Sequence, residues 1–167
     1  MVVVRTSIEI SAPIDLCFNL ARDIGLHTKT VWKHTKEKAV DGVMSGQIGP
    51  GQTVTFEATH FLVKQKLTSK ITEYEEPYVF VDEMQKGAFK SLRHVHEFTE
   101  VEGKTKMTDT LYFEAPLGWL GKIVDQLILK KYMLRFLEHR NQQLKLYAEQ
   151  CNAKQAKSAE VQKDRRS

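Results

Sequence analysis

The spacing of apolar and polar positions changes several times along the chain. Residues 2–10 end in an alternation (Ile8, Glu9, Ile10) and are rich in β-branched side chains, which predicts a strand. Ser11, Ala12 and Pro13 break that run, and proline suits a helix start because the N–H it lacks has no partner there. Ile14, Cys17, Phe18 and Ala21 then mark one face of a short helix. Residues 23–36 read as a second short helix or an irregular stretch anchored by Trp32. Gly42, Gly46, Gly49, Pro50 and Gly51 make 42–51 a loop.

From Thr53 the period is two. Val54, Phe56 and Ala58 alternate with polar neighbours, as do Val63, Leu67, Ser69 and Ile71. The pattern continues over 78–85, 89–100 and 104–114, with turn residues at Glu76-Pro77, Lys86-Gly87 and Glu102-Gly103. Short strands on short connections predict an antiparallel sheet with one buried face. From Leu117 to about Cys151 the period becomes that of a helix, with Leu120, Val124, Leu127, Ile128, Tyr132, Met133, Phe136, Leu137, Leu144 and Tyr147 on one stripe. Such a helix is roughly 50 Å long. The expectation is an α+β domain over residues 1–151, in which a curved sheet wraps one long helix, followed by a polar basic tail, 152–167.

Composition narrows the class. The 167 residues are 41% hydrophobic and 28% charged, which excludes a mainly disordered chain. No apolar run reaches the ~18–20 residues of a membrane span, and no signal peptide is read at the start. Cys17 and Cys151 form no CxxC pair and no disulfide framework, the usage expected of a reducing cytoplasm. Of the net charge of +4, the tail carries +3: Lys154, Lys157, Lys163, Arg165 and Arg166 against Glu160 and Asp164. A nearly neutral body offers no footprint for a phosphate backbone, so no nucleic-acid partner is expected.

Several local motifs recur in one order: IEISAPI at 8–14, FVD at 80–82, GAF at 87–89, HVHEF at 94–98, Thr108-Asp109, APLG at 115–118 and FLEHR at 136–140. Together they resemble the helix-grip superfamily of START lipid-transfer domains, the birch-pollen allergen and the polyketide cyclases, and most closely its bacterial cyclase/dehydrase-like branch. The resemblance covers residues 2 to about 148. It implies a curved antiparallel sheet around a long C-terminal helix, and a cavity between them that takes a hydrophobic small molecule.

Strand parity selects the residues facing that cavity. Arg93 and Glu97 are costly to bury, so Leu92, His94, His96 and Phe98 are assigned inward. The same test turns Phe80, Asp82 and Met84 inward, with Phe56 and His60 on one strand and Leu67 on the next. It also turns Met107, Asp109, Leu111 and Phe113 inward, while Leu127 and Tyr132 face them from the helix. The expected wall is apolar, with His60, His94, His96, Asp82 and Asp109 as polar members that orient a ligand.

The reading favoured is a carrier or binder of a lipid, isoprenoid or polyketide-like compound, without a cofactor. It makes no stable membrane insertion and is a monomer or weak dimer. The alternative is a cyclase or dehydratase using His94 or His96 with Asp109 as acid–base groups. His94, His96 and Asp109 could converge on an ion, but no fourth ligand and no HExxH accompany them, so no metal site is expected. The loop 42–51 lacks the ending of a phosphate-binding loop.

Overall fold

The structure, a computed structural model, describes residues 1–115 and 128–164. Seven strands form one antiparallel sheet: β1 (Val2–Ile10), β2 (Lys38–Gly42), β3 (Thr53–His60), β4 (Val63–Glu75), β5 (Val79–Lys86), β6 (Ser91–Val101) and β7 (Lys104–Glu114). Their spatial order is β1-β7-β6-β5-β4-β3-β2, so the first strand closes the sheet beside the last. Between β1 and β2 lie α1 (Ile14–Ala21), α2 (Ile24–Thr30) and a 3-10 turn (Lys33–Thr35). The last described element is α3 (Lys130–Asp164), which packs on β1, α1 and α2.

Each element has a local cause. Pro13 stands at the N-cap of α1, whose buried face carries Cys17, Phe18 and Ala21. Asp23 caps α2 by accepting the Leu26 N–H at 2.8 Å, which satisfies a donor the helix leaves unpaired. Gly42 ends β2 in the left-handed region, where a Cβ would run into the Thr53 carbonyl of the neighbouring strand. Two register irregularities, at Thr68/Ser69 and Ile71/Glu73, interrupt the pairing of β4 with β5. Such irregularities bend a strand and increase its twist, which lets a thirteen-residue strand follow the curve of the sheet.

The sheet presents two apolar cores to the helices. One gathers Ile10, Phe18, Phe80, Phe98, Met107 and Leu144; the other gathers Val2, Val4, Leu92, Leu111, Phe113 and Leu137. Phe18 is the hub of the first, edge-on to Tyr74, Phe80 and Phe98 at centroid distances of 5.4–5.6 Å. Along β6, β7 and α3 the residues between the cores are polar or charged: His94 and His96, Asp109, and Arg140 with Asn141.

The pattern and the structure differ in two places, and one expected segment is not described. Strand β2 has no signal in the sequence because it is a five-residue edge strand with no fully buried residue. The expected first part of the long helix, 117–127, falls outside the described residues. The periodicity predicts an end to the helix near Cys151, whereas α3 continues to Asp164, with residues 153–159 exposed. Nothing apolar is buried there, so a 3.6-residue stripe could not reveal it. Among the described residues no helix is long and apolar enough to cross a membrane.

Candidate functional site

Between the concave face of the sheet and α3 lies a cavity of about 300 Å³. Inward positions of successive strands build one wall, because alternate side chains of β3 (Val54, Phe56, Ala58, His60) share a face. Of the residues assigned to the cavity from sequence, Phe56, His60, Leu67, Phe80, Leu92, His94, His96, Leu111 and Tyr132 line it, as does Asp82. On the helix side Met133, Phe136 and Leu137 join Tyr132. At the rim, the tip of the β3–β4 hairpin exposes Phe61, Leu62 and Val63, and Phe61 packs on the Tyr132 ring.

Four assigned residues stand elsewhere. Phe98 and Phe113 are fully buried in the two apolar cores, one to either side of the polar positions, so they support the wall from behind. Met84 sits near the end of β5 and packs against the second core without lining the cavity. Asp109 has no exposed surface and lies behind the histidines rather than on the wall. Leu127 lies outside the described residues.

Register assembles the polar cluster. His96 is opposite Asp109 on β7 and Phe80 on β5, while Asp82 is opposite His94. All therefore project from one face, and the His94 and His96 rings stand 3.8 Å apart. Asp82 Oδ2 is 3.2 Å from His96 Nε2 and 3.7 Å from His94 Nδ1. On the other side, Asp109 Oδ1 is 2.6 Å from His96 Nδ1 and 3.5 Å from His94 Nε2. Arg140 Nη1 approaches Asp109 Oδ2 to 3.6 Å, and its Nη2 donates to the Ala21 carbonyl. Neither histidine nor Arg140 Nη1 makes an aligned hydrogen bond to Asp109; Arg140 and Asp109 form an ion pair, and each histidine contact becomes one only when its ring is protonated.

That balance sets the protonation states. Burial works against a charge on Asp109, but the charge of His96 and the contacts with both histidines outweigh it and hold the carboxyl well below its ordinary range. Burial likewise opposes protonation of His96, and Asp109 and Asp82 overcome it, so His96 is shifted up. For His94 burial and the neighbouring His96 prevail, and its shift is downward.

A second polar group lies on the wall. His27 Nε2 is 2.7 Å from Glu37 Oε1, and the His27 ring stacks on Phe56. His60 Nδ1 is 2.7 Å from the Tyr132 hydroxyl. Burial would raise the Glu37 carboxyl, but its bond to His27 and the charges of His27, His60 and Arg140 lower it overall. Burial lowers His60; Glu37 opposes that shift and His34 adds to it.

Both folded-state values thus lie below their unfolded ones, so the unfolded chain takes up protons first and acid favours it. We expect stability to fall as pH drops below about 6.5, the unfolded histidine value, and again through the carboxylate range. His60→Gln should flatten the upper part of that curve, which for one proton is at most about 1.4 kcal/mol per pH unit. Urea denaturation at stepped pH measures it, and an unchanged slope in the variant would contradict the assignment.

Sequence reasoning missed Arg140, Glu37 and His27. Arg140 was visible in principle as the charged residue on the stripe Met133, Leu137, Leu144, Ala148, a position that must be buried and therefore paired. Glu37 and His27 carried no periodic signal, since one lies between the 3-10 turn and β2 and the other on a seven-residue helix.

A curved seven-stranded antiparallel sheet gripping a long C-terminal helix, with a cavity between them, defines the helix-grip class. The comparison with known families agrees: residues 1–149 match the model of the polyketide cyclase / dehydrase and lipid transport family, and the chain belongs to it. No curated protein matches the sequence. Among solved structures, the fold is similar to that of TTHA0849 from Thermus thermophilus, with 19% identity, a TM-score of 0.68, and 86% of this chain and 94% of that one covered. It is also similar to a START superfamily protein from Mycobacterium smegmatis (15% identity, TM-score 0.68, 89% and 98% covered). A major latex-like protein from Panax ginseng is a third (12%, TM-score 0.64, 88% and 97% covered).

Proposed function

We propose that the protein binds or carries one hydrophobic small molecule that has a polar group, such as a lipid, an isoprenoid or a polyketide-like compound. The observation that carries this reading is the cavity itself. Its volume of about 300 Å³ falls at the lower end of the ~300–1,000 Å³ of small-molecule sites, and its walls are Phe56, Leu67, Phe80, Leu92, Leu111 and Phe136. Burial of apolar ligand surface supplies the affinity, at roughly 25 cal/mol per Å² before the costs of association. Asp82, His94 and His96 at one place, with His60 and Tyr132 at another, would orient the polar group.

A second reading draws on the same cluster. Asp82 and the two histidines face the cavity while Asp109 backs them, an arrangement able to exchange protons with a bound carbonyl compound, as a cyclase or dehydratase requires. Titration with the apolar fluorophore N-phenyl-1-naphthylamine tests the first reading. Saturable one-to-one enhancement is the expected result. No enhancement up to the solubility limit would sink it. Turnover of a bound compound that is lost in His96→Gln, with binding retained, would favour the second.

A further inference from the structure

We infer that Asp82, His94 and His96 form a site for a divalent first-row transition metal, opening into the cavity. The sequence pattern groups the histidines with Asp109. The fold instead sets Asp82 on the cavity side of both rings and Asp109 behind them. Each imidazole therefore turns one nitrogen to Asp82 and the other to Asp109.

The spacing suits metal coordination. Ligand atoms held at about 2.0–2.2 Å from one ion, at tetrahedral or octahedral angles, lie roughly 2.8–3.6 Å from each other. Asp82 Oδ2 is 3.2 Å from His96 Nε2 and 3.7 Å from His94 Nδ1, and one ligand atom from each residue lies within 4.8 Å of the others. Coordination would draw the wider pairs together by side-chain rotation. Two histidines and one carboxylate are a donor set that first-row metals accept while keeping positions open, here toward the cavity.

The shell behind the ligands fits as well. Histidines that ligate metals commonly turn their second nitrogen to a carboxylate, which fixes the ring and raises its basicity. Asp109 Oδ1 serves both rings in this way, at 2.6 and 3.5 Å, and Arg140 holds the opposite oxygen at 3.6 Å. With both imidazoles neutral, two carboxylates face a single guanidinium. In that state the cluster is one positive charge short, which a bound cation would supply. The competing occupant of that role is a proton on His96, shared between Asp82 and Asp109. A bound metal would offer its open positions to a carbonyl, hydroxyl or carboxylate oxygen of a molecule in the cavity. The site stands on the geometry of these five residues and does not depend on whether the cavity takes an apolar ligand.

The test uses full-length protein freed of metal with a chelator and titrated calorimetrically with Zn²⁺, then with Co²⁺ followed by visible absorption. Expected are one ion per chain and Co²⁺ bands characteristic of mixed nitrogen and oxygen ligation. Asp82→Asn and His96→Gln should each weaken Zn²⁺ binding at least tenfold. Asp109→Asn, a positioning change, should weaken it about 10–100-fold and shift the Co²⁺ bands. The exposed His34→Gln should change nothing. Circular dichroism of each variant separates loss of the site from loss of the fold, and Asp82→Asn is the decisive variant because Asp82 is partly exposed. Absence of stoichiometric binding, or binding undiminished in both Asp82→Asn and His96→Gln, would overturn the proposal and leave the proton on His96 as the cluster's balancing charge.

Discussion

Asp109→Ala is expected to destabilise the fold by about 3–5 kcal/mol, the usual consequence of removing one partner from a buried ion-pair network. For a domain of this size that lowers Tm by roughly 6–20 °C. Asp109 has no exposed surface, and among the described residues it is the one carboxylate that contacts His94, His96 and Arg140 together. Without it, Arg140 lies buried beside a histidine that can also be protonated, and the Ala21 carbonyl that accepts its hydrogen bond carries no compensating charge. Because the penalty comes from the stranded charge, Arg140→Met in the same chain should recover part of it. Chemical denaturation of the two single variants and the double should give a coupling of about 1 kcal/mol or more. Strict additivity would mean that Asp109 and Arg140 do not balance each other.

Ala58→Trp should weaken binding of an apolar ligand by at least tenfold while leaving the chain folded. Ala58 is a small residue on the cavity face of β3, between Phe56 and His60, so an indole there points into the cavity and not into packed core. The scale decides how large the effect must be: about 55 Å² of lost apolar burial is worth a factor of ten in affinity. Thr59→Trp is the matched control. Its side chain projects from the opposite face of the same strand, so the fluorophore titration should be unchanged. Equal losses in both variants would show that the strand, not the cavity, was disturbed.

Much of this wall was legible because period-two alternation fixes faces without knowledge of partners. His94, His96, Phe80, Leu92 and Leu111 line the cavity on parity alone. What parity leaves open is depth. Phe98 and His96 share a face of β6, yet one is packed against Phe18 in the core and the other meets the cavity, because only the register with β7 and the placement of α3 decide which position lies over open space. The two carboxylates show the same limit. Asp82 and Asp109 are both inward residues of their strands; register sets Asp82 opposite His94 on one side of β6 and Asp109 opposite His96 on the other, and only the packed structure leaves Asp82 on the cavity and Asp109 fully buried. Glu37 was illegible for a different reason: it belongs to no periodic element, and its burial follows from the contact His27 makes with it.

The cluster also explains why the helix carries a charge where an apolar residue would pack. Arg140 takes the position on α3 that faces Asp109, between Leu137 of one core and Leu144 of the other. Removing one member of such a network strands a buried charge, so Arg140 and Asp109 are expected to be retained together.

Whether the space between sheet and α3 holds an apolar molecule is asked most directly by native mass spectrometry of freshly purified full-length protein, followed by solvent extraction of whatever it carries. Expected is a single apolar compound per chain, either retained through purification or taken up one-to-one from a panel of isoprenoid, fatty-acyl and polyketide-like compounds, and excluded by Ala58→Trp. A protein that arrives empty and stays empty with every member of that panel at its solubility limit would contradict it.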